Sequence, residues 1–110
     1  MVSAVSADLL PLGRISGTVT GATVPLNGVT VYAYQLVGST WVQKASATTA
    51  GGGLYTLYLL PGTYKVYFND PTRIYVSEYW EHKANVAAAD GVVVVAGAAT
   101  PISADLVLRP

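Results

Sequence analysis

Acid and base side chains come closest together late in the chain, where Ser77, Glu78, Glu81 and His82 lie within one short segment. A carboxylate beside an imidazole can act as a general acid and base, and a nearby serine can act as a nucleophile. Such catalysis also needs a third group that orients the base, and closeness in sequence supplies none. We therefore interpret Glu78, Glu81 and His82 as a solvated edge, and we expect neither an enzyme nor a bound cofactor.

Metal ligands are the second kind of chemistry to consider. Asp70, Asp90 and Asp105 lie near predicted strand ends, where carboxylates and carbonyls can surround calcium. No spaced calcium motif accompanies them, and isolated aspartates at such places usually cap turns. The chain has no cysteine and one histidine, which excludes cysteine-based zinc sites and multi-histidine sites within one chain. We expect no metal site.

Aromatic side chains offer a third kind of chemistry, which is recognition by contact. Four tyrosines fall on the outward positions of predicted strands: Tyr32, Tyr34, Tyr58 and Tyr67. Tyrosine forms good cross-strand pairs, so this candidate contact surface can simply stabilise a solvent-facing sheet. Tyrosine also combines a large contact area with a polar end at low entropic cost, which suits recognition of a protein or a sugar. Both interpretations stay open.

A second candidate site lies in the irregular segment after these strands and consists of Arg73, Tyr75, Tyr79 and Trp80. Loops carry function more often than cores do, so these residues are a candidate ligand patch. Large aromatic side chains in a long loop can instead hold that loop against the domain. Trp41 follows a predicted turn, and we interpret it as a core or rim plug.

Charge and composition restrict the partners. Six basic and six acidic residues give no net charge, and no cluster of lysine or arginine could neutralise phosphates, so we expect no nucleic acid partner. Charged residues make up 11% of the chain and hydrophobic residues 52%, which leaves apolar surface exposed and favours self-association. No apolar run approaches the ~20 residues of a membrane span, so we expect no membrane insertion.

The chain divides into two parts. Residues 1–12 are small and apolar without a strong period, and they lack the basic region of a signal peptide. We interpret them as an N-terminal arm, which is either a terminal tail or a segment that packs on a neighbouring subunit. Residues 13–110 are long enough for a single domain with one core.

Alternation of apolar and polar residues predicts strands, most clearly over residues 51–68. Two runs there flank the turn at Pro61 and Gly62, which predicts a hairpin of two antiparallel neighbours. We expect the valines of 91–96 to be covered on both faces. The third strand is expected to carry four residues on one face: Trp41, Gln43, Ala45 and Ala47. Further strands are predicted over 13–20, 28–36, 41–49, 74–80, 91–96 and 102–108, and a helical turn over 84–90.

Seven or eight short strands, turn signals between them and no convincing long helix predict an all-β fold. The spacing is typical of a seven- to eight-stranded antiparallel β-sandwich with a transthyretin-like or Ig-like Greek key.

The order of several short motifs resembles the carboxypeptidase regulatory-like domains. These are transthyretin-like, prealbumin-type β-sandwiches, similar also to the B-type repeats of bacterial surface adhesins, and Tyr75, Glu78 and Tyr79 before a valine-rich strand are similar to the actinobacterial branch. The motifs are turn glycines and core residues, so they specify the fold more than the function. The resemblance implies a non-catalytic spacer, stabiliser or adhesive unit of an exported or surface protein. Its motifs are GRISGTV (13–19), PLNGVTVYA (25–33), GLYTL (53–57), LPGTYKVYF (60–68) and ISADL (102–106).

Three functions follow as hypotheses. The first is a structural or adhesive module that binds another protein, or further copies of itself, outside the cell or at its surface. The second is a carbohydrate-binding accessory module of a secreted glycan-active enzyme, with a polysaccharide bound by the tyrosines or by Trp80, Tyr79 and Tyr75. The third takes Met1 as the natural start and predicts a small virion or filament component, such as a phage decoration protein, docked through residues 1–12.

Overall fold

The computed structural model describes residues 12–80, 89 and 91–108. These residues contain no helix, which confirms the all-β class, and so no membrane-spanning helix occurs among them. The predicted arm and the predicted helical turn lie outside the described residues, apart from Leu12 and Ala89. The strands are β1 (Gly13–Gly21), β2 (Val24–Pro25), β3 (Thr30–Val37), β4 (Thr40–Thr48), β5 (Leu54–Leu59), β6 (Gly62–Asn69), β7 (Glu78–Tyr79), β8 (Val92–Val94), β9 (Ala99–Pro101) and β10 (Ala104–Leu106).

Two sheets form the sandwich. The first is built on β1, which pairs with β5 and β2 along one side and with β9 and β10 along the other. The second has the order β4-β3-β6, and β7 and β8 share the far side of β6. The predicted β-sandwich is confirmed. The first sheet is mixed rather than antiparallel throughout, because β1 runs parallel to β9 and β10.

The hydrophobic core lies between the sheets and follows the predicted alternation. Phe68 is 0% exposed, and its ring packs against the Tyr55 ring in a T-shaped arrangement with the centroids 6.0 Å apart. Burial of such large apolar side chains is the main stabilising contribution to a fold of this size. The core comprises Ile15, Val19, Val29, Val31, Ala33, Tyr55, Leu57, Leu59, Tyr64, Val66, Phe68, Val92, Val94, Ile102 and Leu106.

The predicted hairpin over residues 51–68 is wrong in its pairing. β5 pairs with β1 and β6 pairs with β3, so the turn between them carries the chain from one sheet to the other. The Tyr64 hydroxyl closes this turn by donating a hydrogen bond to the Leu60 carbonyl at 2.6 Å. The faces were predicted correctly, because alternation shows which face is buried. It does not show which strand is the neighbour.

A β-bulge in β4 divides the four residues that were predicted to share one face of this strand. Ala45 pairs with Ala33, but the next pair joins Gln43 to Tyr34, so Lys44 is the extra residue of the bulge. Trp41 and Gln43 therefore lie on the outer face of the second sheet. Ala45 and Ala47 remain on the inner face and pack against the core.

Three later strand predictions also need correction. Only Glu78–Tyr79 of the predicted strand over 74–80 is a strand. Val93 is 58% exposed, so the valine run is covered on one face and not on both. The closing strand is limited to Ala104–Leu106, and the exposed Leu108 forms an isolated bridge with Tyr75.

Two glycines let other backbone segments approach β1 closely. A Cβ on Gly17 would lie 2.0 Å from the Ile102 carbonyl oxygen, so a larger residue would displace the chain between β9 and β10. Gly53 has φ +78°, and its carbonyl accepts the Val19 amide N–H at 2.8 Å. The glycine loop thereby fixes the start of β5 against β1.

Candidate functional site

The outer face of the second sheet brings four tyrosines together, and we call Tyr32, Tyr34, Tyr67 and Tyr79 the tyrosine face. The ring centroids lie 6.1 Å apart between Tyr32 and Tyr34, and 6.3 Å apart between Tyr32 and Tyr67. Tyr67 and Tyr79 are closer, at 4.6 Å. All four are partly exposed, so the rings form one continuous patch that solvent can reach.

Strand register explains why these rings meet. Tyr32 on β3 pairs directly with Tyr67 on β6, and Tyr67 pairs on its other side with Tyr79 on β7. Directly paired residues of antiparallel strands project to the same face with their Cβ atoms about 5 Å apart. Three strands thus place three rings in a row across the sheet, and Tyr34 adds a fourth one step along β3.

Trp41 and Lys65 extend this surface toward the end of the sheet. Lys65 pairs with Tyr34, and its ammonium group lies 5.7 Å from the centroid of the Trp41 ring, as in a cation–π contact. The ammonium group also donates a hydrogen bond to the Ala89 carbonyl.

An open cavity of about 320 Å³ lies near β5, and another of about 310 Å³ is lined by Gln35, Leu36, Trp41, Thr63, Tyr64 and Lys65.

Two phenols of the tyrosine face, Tyr34 and Tyr79, stay uncharged near neutral pH. Burial raises the pKa of Tyr34 above its ordinary value, and negative charge on the neighbouring phenols raises it further, with Tyr79 first. Burial likewise raises the pKa of Tyr79, and Tyr67 adds to the effect. These two phenols therefore remain neutral and can both donate and accept hydrogen bonds at the edge of the apolar rings.

We expect the fold to lose part of its stability as the pH rises above about 10, the ordinary phenol pKa. Because the folded-state pKa values of Tyr34 and Tyr79 are raised, their contribution is complete below the unfolded pKa and is lost as the pH rises through the folded values. Urea unfolding at a series of alkaline pH values measures this loss. Tyr34→Phe should flatten the profile more than Tyr58→Phe, which removes an exposed phenol of the other sheet. Identical profiles for the two variants would contradict the assignment.

The structure separates Tyr58 from the other residues of the predicted contact surface. Tyr58 lies on β5, on the outer face of the first sheet, and is 64% exposed. Tyr32, Tyr34 and Tyr67 do lie together, and the tyrosine that joins them is Tyr79, which the sequence placed in the other patch. Alternation cannot reveal this division, because it does not assign strands to sheets.

The predicted ligand patch is dispersed in the folded chain. Tyr75 and Trp80 pack against the core, whereas Tyr79 belongs to the tyrosine face. Arg73 is exposed, with φ +62°, in a left-handed backbone conformation. The sequence interpretation that large aromatic side chains hold this loop against the domain agrees with the packing of Tyr75 and Trp80.

Asp70 organises the same loop. Its buried carboxylate accepts hydrogen bonds from the amide groups of Thr72, Ile74 and Tyr75 at 3.0, 3.1 and 2.9 Å, and from the Thr72 hydroxyl at 2.7 Å. Burial acts to raise the pKa of Asp70, but these hydrogen bonds, Thr72 above all, outweigh burial and hold the pKa below its usual range. The loop is thus built around an ionised side chain.

The remaining acidic candidates differ from one another. Asp105 accepts hydrogen bonds from the Thr20 hydroxyl and the Thr23 amide at 2.6 and 3.0 Å, which is the expected turn-capping role. Asp90 lies outside the described residues. Within residues 12–80, 89 and 91–108, no three His, Asp or Glu side chains come together as a possible metal site.

Glu78 is only 7% exposed, so the expectation of a solvated edge is wrong for this residue. Glu78 pairs with Phe68 on β6, and the neighbouring Tyr79 occupies the outer face, which places Glu78 on the core side of β7. Glu81 and His82 lie outside the described residues.

Sequence reasoning missed the part that Trp41 and Lys65 take in this surface. The outward position of Lys65 was visible from the alternation of Tyr64, Val66 and Phe68. The outward position of Trp41 depends on the bulge at Lys44, and no residue type in β4 indicates a bulge.

Comparisons with known proteins show the fold of the chain. No family model matches it, and no curated protein matches it. A DUF3823 family protein from Bacteroides uniformis is similar in structure, with 15% identity, a TM-score of 0.64, and coverage of 87% of this chain and 43% of that one. A DUF3823 family protein from Parabacteroides merdae has 19% identity, a TM-score of 0.56, and coverage of 93% and 48%.

A streptococcal ancillary pilin is also similar, with 13% identity, a TM-score of 0.59, and coverage of 92% of this chain and 30% of that one. The chain therefore spans less than half the length of each of these three proteins. Likeness at such low identity shows a common fold and does not carry a function. The β-sandwich is shared with these proteins, and the specific resemblance to carboxypeptidase regulatory-like domains is not confirmed by them.

Proposed function

We propose that this chain is a non-catalytic interaction module of an exported or surface protein, and that it binds another protein through the tyrosine face. The observation that carries the proposal is the continuous contact of four tyrosine rings on one sheet face. Tyrosine and tryptophan dominate the energetically important centres of protein interfaces, because they are large and lose little conformational entropy on binding.

Exposed apolar residues around the rings favour a partner over simple stabilisation of the sheet. Leu36, which pairs with Trp41, is 50% exposed, and Val93 pairs with Thr63 on the same outer face. If the tyrosines only stabilised the sheet by packing across strands, they would not need exposed apolar residues beside them. Contiguous apolar surface on a soluble domain marks an interaction site when it extends beyond a few hundred Å².

The place of the module in a larger assembly is part of the proposal. One structure that shares the fold is an ancillary pilin, and a pilin is a setting in which a sandwich domain works through contacts with other proteins. We accordingly assign the chain to the cell surface or the extracellular space. The virion alternative depends on residues 1–12, which lie almost wholly outside the described residues.

Binding to proteins extracted from the surface of the producing cells tests this function. The double variant Tyr32→Ser/Tyr67→Ser removes the two central rings, and Tyr58→Ser removes an exposed ring from the other sheet as a matched control. We expect the double variant to lose at least about tenfold in affinity while the control keeps its affinity. Equal binding by both folded variants, verified by circular dichroism, would exclude the tyrosine face.

Carbohydrate binding is the second candidate, favoured by the open cavity beside Trp41 and Lys65. An aromatic ring next to hydrogen-bonding groups is a suitable platform for a sugar ring. Retention on a panel of insoluble polysaccharides tests this candidate. We expect Trp41→Ala to abolish retention. Trp80→Ala, which changes a ring packed against the core, is the comparison. No retention on any polysaccharide would exclude this candidate.

A further inference from the structure

Two open cavities lie at the end of the sandwich where the chain crosses from β5 to β6, and we call them together the end groove. The first, of about 320 Å³, is lined by Lys44 of β4 and Tyr58 of β5. The second, of about 310 Å³, is lined by Trp41 and Lys65. Gln35 lines both cavities, so the two are neighbours. Each has the volume of a small ligand site, and together they can hold a short chain of rings.

Each cavity of the end groove combines an aromatic ring with positive charge. In the second cavity, the Lys65 ammonium group lies 5.7 Å from the centroid of the Trp41 ring. In the first, Lys44 accompanies Tyr58, which is 64% exposed. Arg14 on β1 pairs directly with Tyr58 and projects to the same face, so it adds a further positive charge beside this ring. Three of the four described basic residues therefore lie at this end of the molecule.

The described carboxylates lie away from the end groove. Asp70 directly follows β6, whose first residue, Gly62, adjoins the groove, and the eight residues of this strand span roughly 25 Å. Glu78 lies on the core side of β7, near the same end of β6 as Asp70. Asp105 bonds to Thr20 near the opposite end of β1. No carboxylate is among the described residues that line either cavity, so an anion entering the groove meets positive charge there.

We propose that the end groove binds an acidic polysaccharide, with uronic acid units stacked on Trp41 and Tyr58. A uronic acid unit carries an apolar face of C–H groups and a carboxylate on the same ring, so it matches an aromatic ring with a cation beside it. Lys65 and Lys44 bind the carboxylates, and the Gln35 amide between them donates to and accepts from sugar hydroxyls. The proposal rests on the second candidate function, carbohydrate binding, and gives it a ligand class and a longer site.

An acidic peptide fits the end groove less well. Its carboxylates stand on flexible side chains, which lose more conformational entropy on binding than a carboxylate fixed to a sugar ring. Aspartate and glutamate also offer no ring face to stack on Trp41 or Tyr58. The repeated pairing of ring and cation therefore favours a polysaccharide.

Polygalacturonate and alginate, each compared with its neutral ester, test the part played by charge. Isothermal titration calorimetry at low ionic strength should show at least about fivefold tighter binding of one free acid than of its ester, because the ester removes the ion pairs. Added salt should reduce this preference, since exposed ion pairs are screened. Polyglutamate carries the charge without sugar rings and should bind more weakly than the preferred free acid.

The outcomes separate this proposal from the functions on which it builds. Equal affinity for acid and ester would overturn the charge assignment and leave neutral carbohydrate binding intact. Equal affinity for polyglutamate would overturn the sugar assignment, and absence of binding to both acids would overturn the proposal. Protein binding by the tyrosine face is measured separately, with Tyr32→Ser/Tyr67→Ser.

Three charge variants test the place of binding. Lys44→Gln and Lys65→Gln each remove one positive charge from the end groove, whereas Arg73→Gln removes one from the exposed loop at the opposite end. We expect each groove variant to lose at least about threefold in affinity for the preferred acid, and Arg73→Gln to bind like the parent chain. Circular dichroism verifies that all three fold. An equal loss in Arg73→Gln, or no loss in Lys44→Gln, would overturn the site.

Discussion

Phe68→Ala is expected to lower the free energy of unfolding by about 3–5 kcal/mol. The ring is fully buried on β6 between the two sheets and forms a T-shaped pair with the Tyr55 ring. Removing it takes away apolar burial and leaves a cavity that the surrounding strands cannot fill, because paired strands on both sides fix the backbone. Urea unfolding followed by circular dichroism measures the loss.

Two further variants make this expectation specific. Phe68→Leu keeps most of the apolar volume and should cost less than half as much as the alanine variant. Thr63→Ala, at an exposed position of the same strand, should change stability by no more than about 0.5 kcal/mol. A loss below about 1 kcal/mol for Phe68→Ala would show that the ring is not part of a packed core.

Asp70→Ala is expected to cost about 3 kcal/mol. The substitution removes the acceptor for the amide groups of Thr72, Ile74 and Tyr75. Hydrogen bonds to an ionised acceptor are stronger than neutral ones, and loss of the acceptor leaves partly buried donors unpaired. Tyr75 would also lose its attachment to the core, so we expect the Leu108 bridge to open as well. Hydrogen exchange of these amides, together with urea unfolding, measures both effects.

The charge of Asp70 adds a dependence on pH. Its folded-state pKa is lowered, so its contribution is complete above the unfolded pKa of about 3.9 and is lost as the pH falls through the folded value. Asp70→Asn should therefore be less stable at neutral pH and should lose less stability on acidification than the parent chain. Equal acid slopes for Asp70→Asn and the parent chain would contradict this role.

The sequence predicts the faces of the strands well and their neighbours poorly. Burial follows from local alternation, and that is why Ile15, Leu57 and Val66 could be assigned to the core. The partner of a strand depends on contacts between residues far apart in the chain, so the same alternation on both sides of Pro61 fits a hairpin and a crossing between sheets equally well. The parallel pairing of β9 and β10 with β1 could not be predicted for the same reason.

The candidate site was predictable only in part. The outward tyrosines on β3 and β6 were found because both strands alternate without interruption and pair with each other without a shift in register. Tyr79 lay in a segment whose periodicity is weak, since only two of its residues form a strand. Trp41 was assigned to the wrong face because one extra residue reverses every side chain beyond it.

The parallel arrangement of β1 with β9 and β10 has a mechanical consequence. Opposing pulls at Gly13 and Leu106 act along these strands, so the backbone hydrogen bonds of both parallel pairs are loaded together in shear. Strands pulled from adjacent ends would instead separate one bond at a time. Where further domains are joined at both ends, tension would therefore pass through β1 and its parallel neighbours, and the sandwich would resist extension before it unfolded.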